Sequence, residues 1–179
     1  MTAVWQVIDD GGAGADERER ALFADLDAVL ALPFEPAGPP NRLRSVRRIA
    51  IAGRIWFLKV FTATQPKNRL RFALTRPRAR NDAGRELRVT QALRAAGFAA
   101  PRPVAFGCRG ATSFYLCAEL AGRPLADWLA TPDAGQGLAD RAARFCGGLL
   151  AAGFRLPDLS PDHVFVDGER FAVLDLHNG

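Results

Sequence analysis

Asp158, His163 and Asp175 are the residues near the C-terminal end whose types and spacing suit a reaction. They lie in the stretch 153–179, "GFRLPDLSPDHVFVDGERFAVLDLHNG". Asp158 falls in a loop after a helical segment. His163 opens a strand, and Asp175 ends the return strand of the same hairpin. A hairpin folds its ends together, so the three side chains can converge at one edge. One carboxylate placed to take a hydroxyl proton and another placed to hold a divalent cation is what phosphoryl transfer asks for. That chemistry is mostly positioning and charge neutralisation. Upstream, Lys59 sits inside the apolar strand "WFLKVF", where an ammonium is costly without a partner. Glu86, on the next helix, is the candidate partner, and the pair would aim the ammonium at the phosphates of a nucleotide. Taken singly, each residue has an ordinary reading: a turn-forming aspartate, an edge-strand lysine, a core histidine. His177 carries the same reading as His163. The order and joint spacing are what favour a site.

The elements that must position these groups follow from the periodicity. Residues 1–40 read as a preface. A polar, glycine-rich run leads into one helix with Leu22, Leu26, Val29 and Leu30 on a face, Asp16 as N-cap and Glu19 three residues on. "PFEPAGPP" then reads as an extended linker. From Ser45 to Thr62 the period changes to two, and the runs "VRRIAIA" and "IWFLKVF" predict a hairpin joined by Gly53-Arg54. A helix follows over "DAGRELRVTQALRAAG". It carries Glu86, Thr90, Leu93 and Ala96 on neighbouring turns, and Gly97 is its stop. Two short strands, a turn into a helix, and a longer helix with Leu138, Ala142, Phe145 and Leu149 on one face come next. A last hairpin turns at Asp167-Gly168. No internal repeat is read. Trp56 and Trp128 read as core or interface anchors.

A chain of 179 residues is enough for one domain or two small lobes and needs no metal or disulfide for its core. The net charge of +5 favours anionic partners. Arg42, Arg44, Arg47 and Arg48, with Lys67, Arg69, Arg71, Arg76, Arg78 and Arg80, form a basic stretch that suggests an anionic surface such as a glycolipid leaflet. RNA fits on charge alone, but no aromatic-interleaved recognition motif is present, so no specific nucleic acid is expected. Cys108, Cys117 and Cys146 lack metal spacing and read as buried free thiols of a reducing compartment. With neither a signal peptide nor a membrane span in view, the expected location is the cytoplasm, with peripheral contact at the inner membrane open.

The segments "FLKVF", "ELRVTQALRAAGFAAPRPVAFG", "FYLCAELAGRPLADWL", "DLSPDHVFV" and "FAVLDLH" resemble the Kdo/WaaP lipopolysaccharide kinase family, over roughly residues 44–179. The ordered set Lys59, Glu86, Asp158, His163, Asp175 and the segment G-F-x-x-P-x-P-V-A-F-G are its most specific parts. The resemblance implies an α+β, two-lobed protein-kinase-like fold. Its N-lobe would be an antiparallel sheet with one helix, and its helical C-lobe would be shortened after the metal-binding aspartate. It implies three regions: residues 1–40 as helix and linker, 41–118 as N-lobe, and 119–179 as C-lobe with the catalytic hairpin. By the same resemblance Lys59 contacts the α- and β-phosphates of ATP and Glu86 is its helix partner. Residues 117–124, with Glu119, form the hinge that reads adenine. Asp158 is the catalytic aspartate, and Asp175 and His163 are at the magnesium site.

The chain departs from ordinary protein kinases in four ways. Leu156-Pro157-Asp158 replaces H-R-D, and Pro157 would present Asp158 by a different route. His163 replaces the metal-binding asparagine, as it can in the resembled family. Only Gly53 lies between the first strands. The sequence ends four residues after Asp175. The implied function is ATP- and magnesium-dependent phosphorylation of a sugar hydroxyl of lipopolysaccharide core or a related glycolipid. The alternatives are an inactive kinase-like binding module and a basic nucleic-acid-binding protein.

Overall fold

The structure, a computed structural model, describes residues 3–8, 17–38, 42–63, 81–131 and 136–175. In chain order its elements are β1 (Val4–Val7), α1 (Glu17–Leu22), α2 (Leu26–Ala31), β2 (Glu35–Pro36), β3 (Arg44–Ile51) and β4 (Arg54–Phe61). Then come α3 (Asp82–Ala95), β5 (Pro103–Arg109), β6 (Thr112–Ala118), β7 (Arg123–Pro124), α4 (Leu125–Leu129) and α5 (Gln136–Ala151). A 3-10 turn, Pro161–His163, leads into β8 (Val164–Asp167) and β9 (Arg170–Val173). The chain divides into two units, Met1–Arg88 with Arg102–Glu119, and Val89–Pro101 with Leu120–Gly179.

The first unit is built on a six-stranded antiparallel sheet in the order β1-β5-β6-β4-β3-β2. Alternation along β4 gives the sheet two different faces. Trp56, Leu58 and Val60 join Phe23, Leu26, Val29, Phe114 and Leu116 on one. Phe57 and Phe61 join Tyr115, Cys117, Ala83 and Leu87 on the other, beneath α3. The expected sheet with one helix therefore has α1 and α2 on its second face.

Residues 1–40 are not the separate preface that their composition suggests. β1 pairs with β5, and the Trp5 indole N–H donates to the Phe23 carbonyl at 2.9 Å. The single helix expected there is two. Asp25 interrupts it, because its carboxylate accepts from the N–H groups of Asp27 (2.6 Å) and Ala28 (3.4 Å) and so caps α2. The expected N-cap, Asp16, lies outside the described residues. Glu19 is buried, and its carboxylate accepts from Arg102 (2.8 Å) and Arg54 (3.0 Å), which compensates a charge that would otherwise be very costly there. The proline-rich "linker" supplies edge strand β2, where a missing N–H is tolerated.

Gly107 closes the G-F-x-x-P-x-P-V-A-F-G segment for a packing reason. A Cβ there would lie 2.2 Å from the Val4 carbonyl oxygen and 2.9 Å from Trp5 Cα. Gly107→Ala is expected to push β1 off β5 and lower stability by about 1–3 kcal/mol. Hydrogen exchange reports this as faster exchange confined to β1 and its partners, and unchanged protection there would contradict the account.

The turns correct the sequence by one residue. Ile51 pairs with Arg54, so Ala52-Gly53 are the central residues, both with positive φ, as a type I′ hairpin requires. Asp167 pairs with Arg170, so the last hairpin turns at Gly168-Glu169. The β3–β4 connection is a tight two-residue turn rather than a glycine-rich cover.

The second unit joins the last turns of α3 to α4, α5 and the antiparallel sheet β7-β8-β9. α3 and α5 end identically. The Phe98 N–H donates to the Leu93 carbonyl and Gly97 to Arg94, each at 3.0 Å. Phe154 donates to Leu149 (2.9 Å) and Gly153 to Leu150 (3.0 Å). Both glycines have φ +86°, the left-handed C-terminal stop that glycine supplies at no steric cost. Phe98 and Phe154 then pack edge to face at 5.8 Å over Leu93, Leu149 and Val173. The string A-A-G-F-x-x-P thus occurs at 95–101 and again at 151–157, a local repeat that the sequence reading does not register. One copy precedes β5, and the other leads into the loop that carries Asp158.

Candidate active site

In the first unit, β4 places Lys59 opposite Tyr115 and Val46, facing α3. Its Nζ donates to Glu86 Oε1, and the two side chains are 7% and 3% exposed. The helix brings Glu86 to this face because Ala83 and Leu87 anchor the same side of α3 to the sheet. Among the described residues Glu86 Oε2 has no hydrogen-bond partner. A buried carboxylate satisfied on one oxygen only is unusual and asks for a functional reason.

Cys117 was missed by sequence reasoning as part of this surface. It lies on the Lys59 face of β6, and its Sγ–H donates to the Phe57 carbonyl at 3.7 Å. Burial pushes its thiol from 9.0 up to about 12. The negative Glu86 adds to the shift and the Lys59 ammonium opposes it. Cys117 is therefore a neutral thiol across the physiological range, and a neutral thiol is a poor nucleophile. The expected burial of all three cysteines holds only for it. Cys108 and Cys146 are half-buried, and burial also raises Cys146. At pH 8 a disulfide reagent is expected to label Cys108 first, Cys146 more slowly, and Cys117 only in denaturant. The raised pKa also sets a sign for stability. The folded thiol holds its proton more tightly than the unfolded one, so this contribution is complete below pH 9.0 and is lost as pH climbs toward 12. Rapid labelling of Cys117 in the folded protein would contradict this picture.

Glu119 ends the first unit and is exposed. Its N–H donates to the Ile55 carbonyl at 3.0 Å, and that of Ala118 to Arg102 at 2.9 Å.

In the second unit, L-P-D-L-S-P-D-H makes two consecutive turns of the form x-P-D-x. The Leu159 N–H donates to the Leu156 carbonyl at 3.0 Å, and the His163 N–H donates to Ser160 at 2.9 Å. Pro157 and Pro161 each take the position where a fixed φ favours the turn. Asp158 follows Pro157 and is exposed. Leu156 and Leu159 pack on the Phe98–Phe154 cluster. Apolar anchoring thus holds the loop where H-R-D is absent.

His163 joins the two aspartates. Its Nδ1 lies 2.7 Å from the Asp158 carbonyl oxygen, which can only accept, so Nδ1 carries the proton. Ser160 Oγ is 3.4 Å from the same nitrogen. Nε2 lies 3.6 Å from Asp175 Oδ2. The Leu174 N–H donates to the His163 carbonyl at 3.0 Å, tying the end of the hairpin to its start. Asp175 follows with φ +64°, a left-handed conformation that aspartate tolerates better than most residues, and its side chain is 11% exposed. The sequence places Asp175 at the strand end, but β9 stops at Val173. The turn out of the sheet aims the carboxylate.

Two acceptor atoms 3.6 Å apart suit a cation. The Nδ1–H bond to a backbone carbonyl is the orientation that metal-ligating histidines use. Among the described residues no group of three or more His, Cys, Asp or Glu side chains forms a metal cage. Magnesium does not need one, since it is commonly held by one or two carboxylates plus water and phosphate oxygens. His177 and the basic residues 67–80 lie outside the described residues. Of the basic residues 42–48, Arg48 pairs with Glu35 at 2.9 Å and Arg47 sits over the Phe34 ring at 4.4 Å, so these two serve the edge of the sheet.

The fold is protein-kinase-like. The structure titled "Rad53 1-466 in complex with AMP-PNP" matches with a TM-score of 0.50 at 17% identity, covering 80% of this chain and 39% of that one. WbdD in complex with a kinase inhibitor matches with a TM-score of 0.55 at 22% identity, covering 82% and 32%. WaaP in complex with acyl carrier protein matches with a TM-score of 0.65 at 22% identity, covering 99% and 71%. Residues 40–179 match the model of the lipopolysaccharide kinase (Kdo/WaaP) family, and the chain belongs to that family. Comparison with curated proteins gives no match. No described helix is long and apolar enough to cross a membrane.

Proposed function

We propose that this protein transfers the γ-phosphate of ATP, with magnesium, to a sugar hydroxyl of lipopolysaccharide core or a related glycolipid. It would do so from the cytoplasm, at the inner membrane surface. The observation that carries the reading is His163. Its Nδ1–H is fixed on the Asp158 carbonyl while its Nε2 faces Asp175. Family membership supports the reaction class.

In this reading Lys59, held by Glu86, neutralises charge on the α- and β-phosphates. The backbone from Cys117 through residue 124 borders the adenine. The N–H groups of Ala118 and Glu119 are committed to the sheet, so the base would be read by the Glu119 carbonyl and by groups that follow it. Asp158 accepts the proton of the acceptor hydroxyl as its oxygen bonds to the γ-phosphorus. The bond from that phosphorus to the bridging oxygen breaks, and ADP leaves. Asp175 and His163 are the residues that would hold magnesium. When bound, the ion supplies neutralisation of the phosphate charge.

Calorimetry tests the first requirement. ATP is expected to bind with magnesium and far more weakly with a chelator. Absence of binding at millimolar nucleotide would remove the phosphotransferase reading.

A further inference from the structure

Several arginines of the first unit are consumed by carboxylates: Arg48 by Glu35, Arg54 and Arg102 by Glu19, and Arg109 by Asp27. Arg123, in the second unit, is held differently. Its guanidinium carbon lies over the Trp128 ring, 4.1 Å from the centroid, and among the described residues no carboxylate pairs with it. The residue is exposed. The indole N–H beneath it is buried and has no hydrogen-bond partner among the described residues. At this position Trp128 contributes its ring faces, one of which carries the arginine.

The backbone at Arg123 is also fixed. Gly122 has φ +91°, and a Cβ there would lie 2.3 Å from the Val166 carbonyl oxygen. Arg123 itself pairs with Val166 in β8. β7 and α4 lie alongside the 3-10 turn that ends in His163. A guanidinium stacked on an aromatic ring keeps its N–H groups available in its own plane. That fork matches the two oxygens of a phosphate or carboxylate. A mobile surface arginine loses rotamer freedom on binding, and one already stacked loses less.

We propose that Arg123, held on Trp128, is the subsite for an acidic substituent, phosphate or carboxylate, of the saccharide acceptor. This rests on the phosphotransferase reading of the neighbouring loop, and it adds what that reading leaves open: a way to select acidic acceptors over neutral ones.

The test is calorimetric binding of a phosphate-bearing, lipid-free core oligosaccharide, without ATP, to the wild type, R123Q and R123K. R123Q is expected to weaken binding by roughly 10- to 100-fold, as loss of a charge-assisted pair does. R123K, which keeps the charge without the fork, falls between. Phosphatase treatment of the oligosaccharide is expected to weaken wild-type binding by a similar factor and to leave R123Q unchanged. If the recognised group is a carboxylate, its reduction to an alcohol has that effect and phosphatase does not. The melting temperature is expected to be close to the same in all three proteins, because Arg123 is exposed. The proposal is overturned if the wild type binds no acidic oligosaccharide, or if R123Q and R123K bind it as the wild type does. It is equally overturned if R123Q weakens binding of the acidic and neutral forms by the same factor. Should the wild type bind the acidic form through Arg123 yet transfer no phosphate, the subsite stands and the phosphotransferase reading fails.

Discussion

Asp158→Asn is expected to lower phosphate transfer by roughly 100- to 10,000-fold, the range that removal of a general base produces, with ATP affinity and melting temperature close to wild type. The substitution is clean for a structural reason. Asp158 follows Pro157 in a turn closed by the Leu159 N–H on the Leu156 carbonyl, and asparagine suits such a position as well as aspartate does. His163 binds the backbone carbonyl of residue 158, not its side chain, so the link toward Asp175 survives the change. A large loss of rate with an unshifted melt places the defect in proton acceptance. A loss of both would mean that the side chain mainly holds the loop. An unchanged rate would remove Asp158 from the mechanism.

Lys59→Met is expected to cost stability as well as nucleotide binding. The substitution leaves Glu86 buried with no cation, and breaking a buried pair on one side typically costs about 3–5 kcal/mol. In a chain of this size that amounts to roughly 10 °C in melting temperature. The double variant Lys59→Met/Glu86→Leu removes both charges from a pocket already lined by Phe61, Ala83 and Tyr115. It is expected to recover most of the loss, because a well-packed apolar pair often equals a buried ion pair. Magnesium-dependent ATP binding is not expected to recover. Thermal melts and calorimetry on the same samples read both effects. Recovery of ATP binding together with stability would show that the pair is a structural brace.

Much of this site was legible in the sequence because its signals are local. A lysine in a period-two apolar run and a glutamate on the next helix lie on facing surfaces by strand and helix geometry alone, and Lys59 and Glu86 do meet. The stop at Gly97 and the hairpin that carries His163 toward Asp175 follow from residue types in the same way. What escaped depends on distant pairing or on single-residue register. Four residues, Val4–Val7, give no periodic signal strong enough to name a partner, and their strand β5 lies about a hundred residues away. The packing of residues 3–8 and 17–38 with the sheet follows from that pairing, and so does the use of Gly107. Turn centres at Ala52-Gly53 rather than one residue later, and at Gly168-Glu169 rather than one residue earlier, were set by cross-strand register. Cys117 escaped because its place beside Lys59 depends on which face of β6 turns inward. The orientation of Asp175 depends on a positive φ that no residue type dictates.

The most direct measurement is transfer of the γ-phosphate of labelled ATP to purified core glycolipid by the wild-type protein, with mass spectrometry of the product. The expected result is one added phosphate on a sugar hydroxyl, formed with magnesium and abolished by a chelator. Nucleotide that binds with magnesium but yields no phosphorylated glycolipid, with acceptors bearing or lacking acidic groups, would contradict the account.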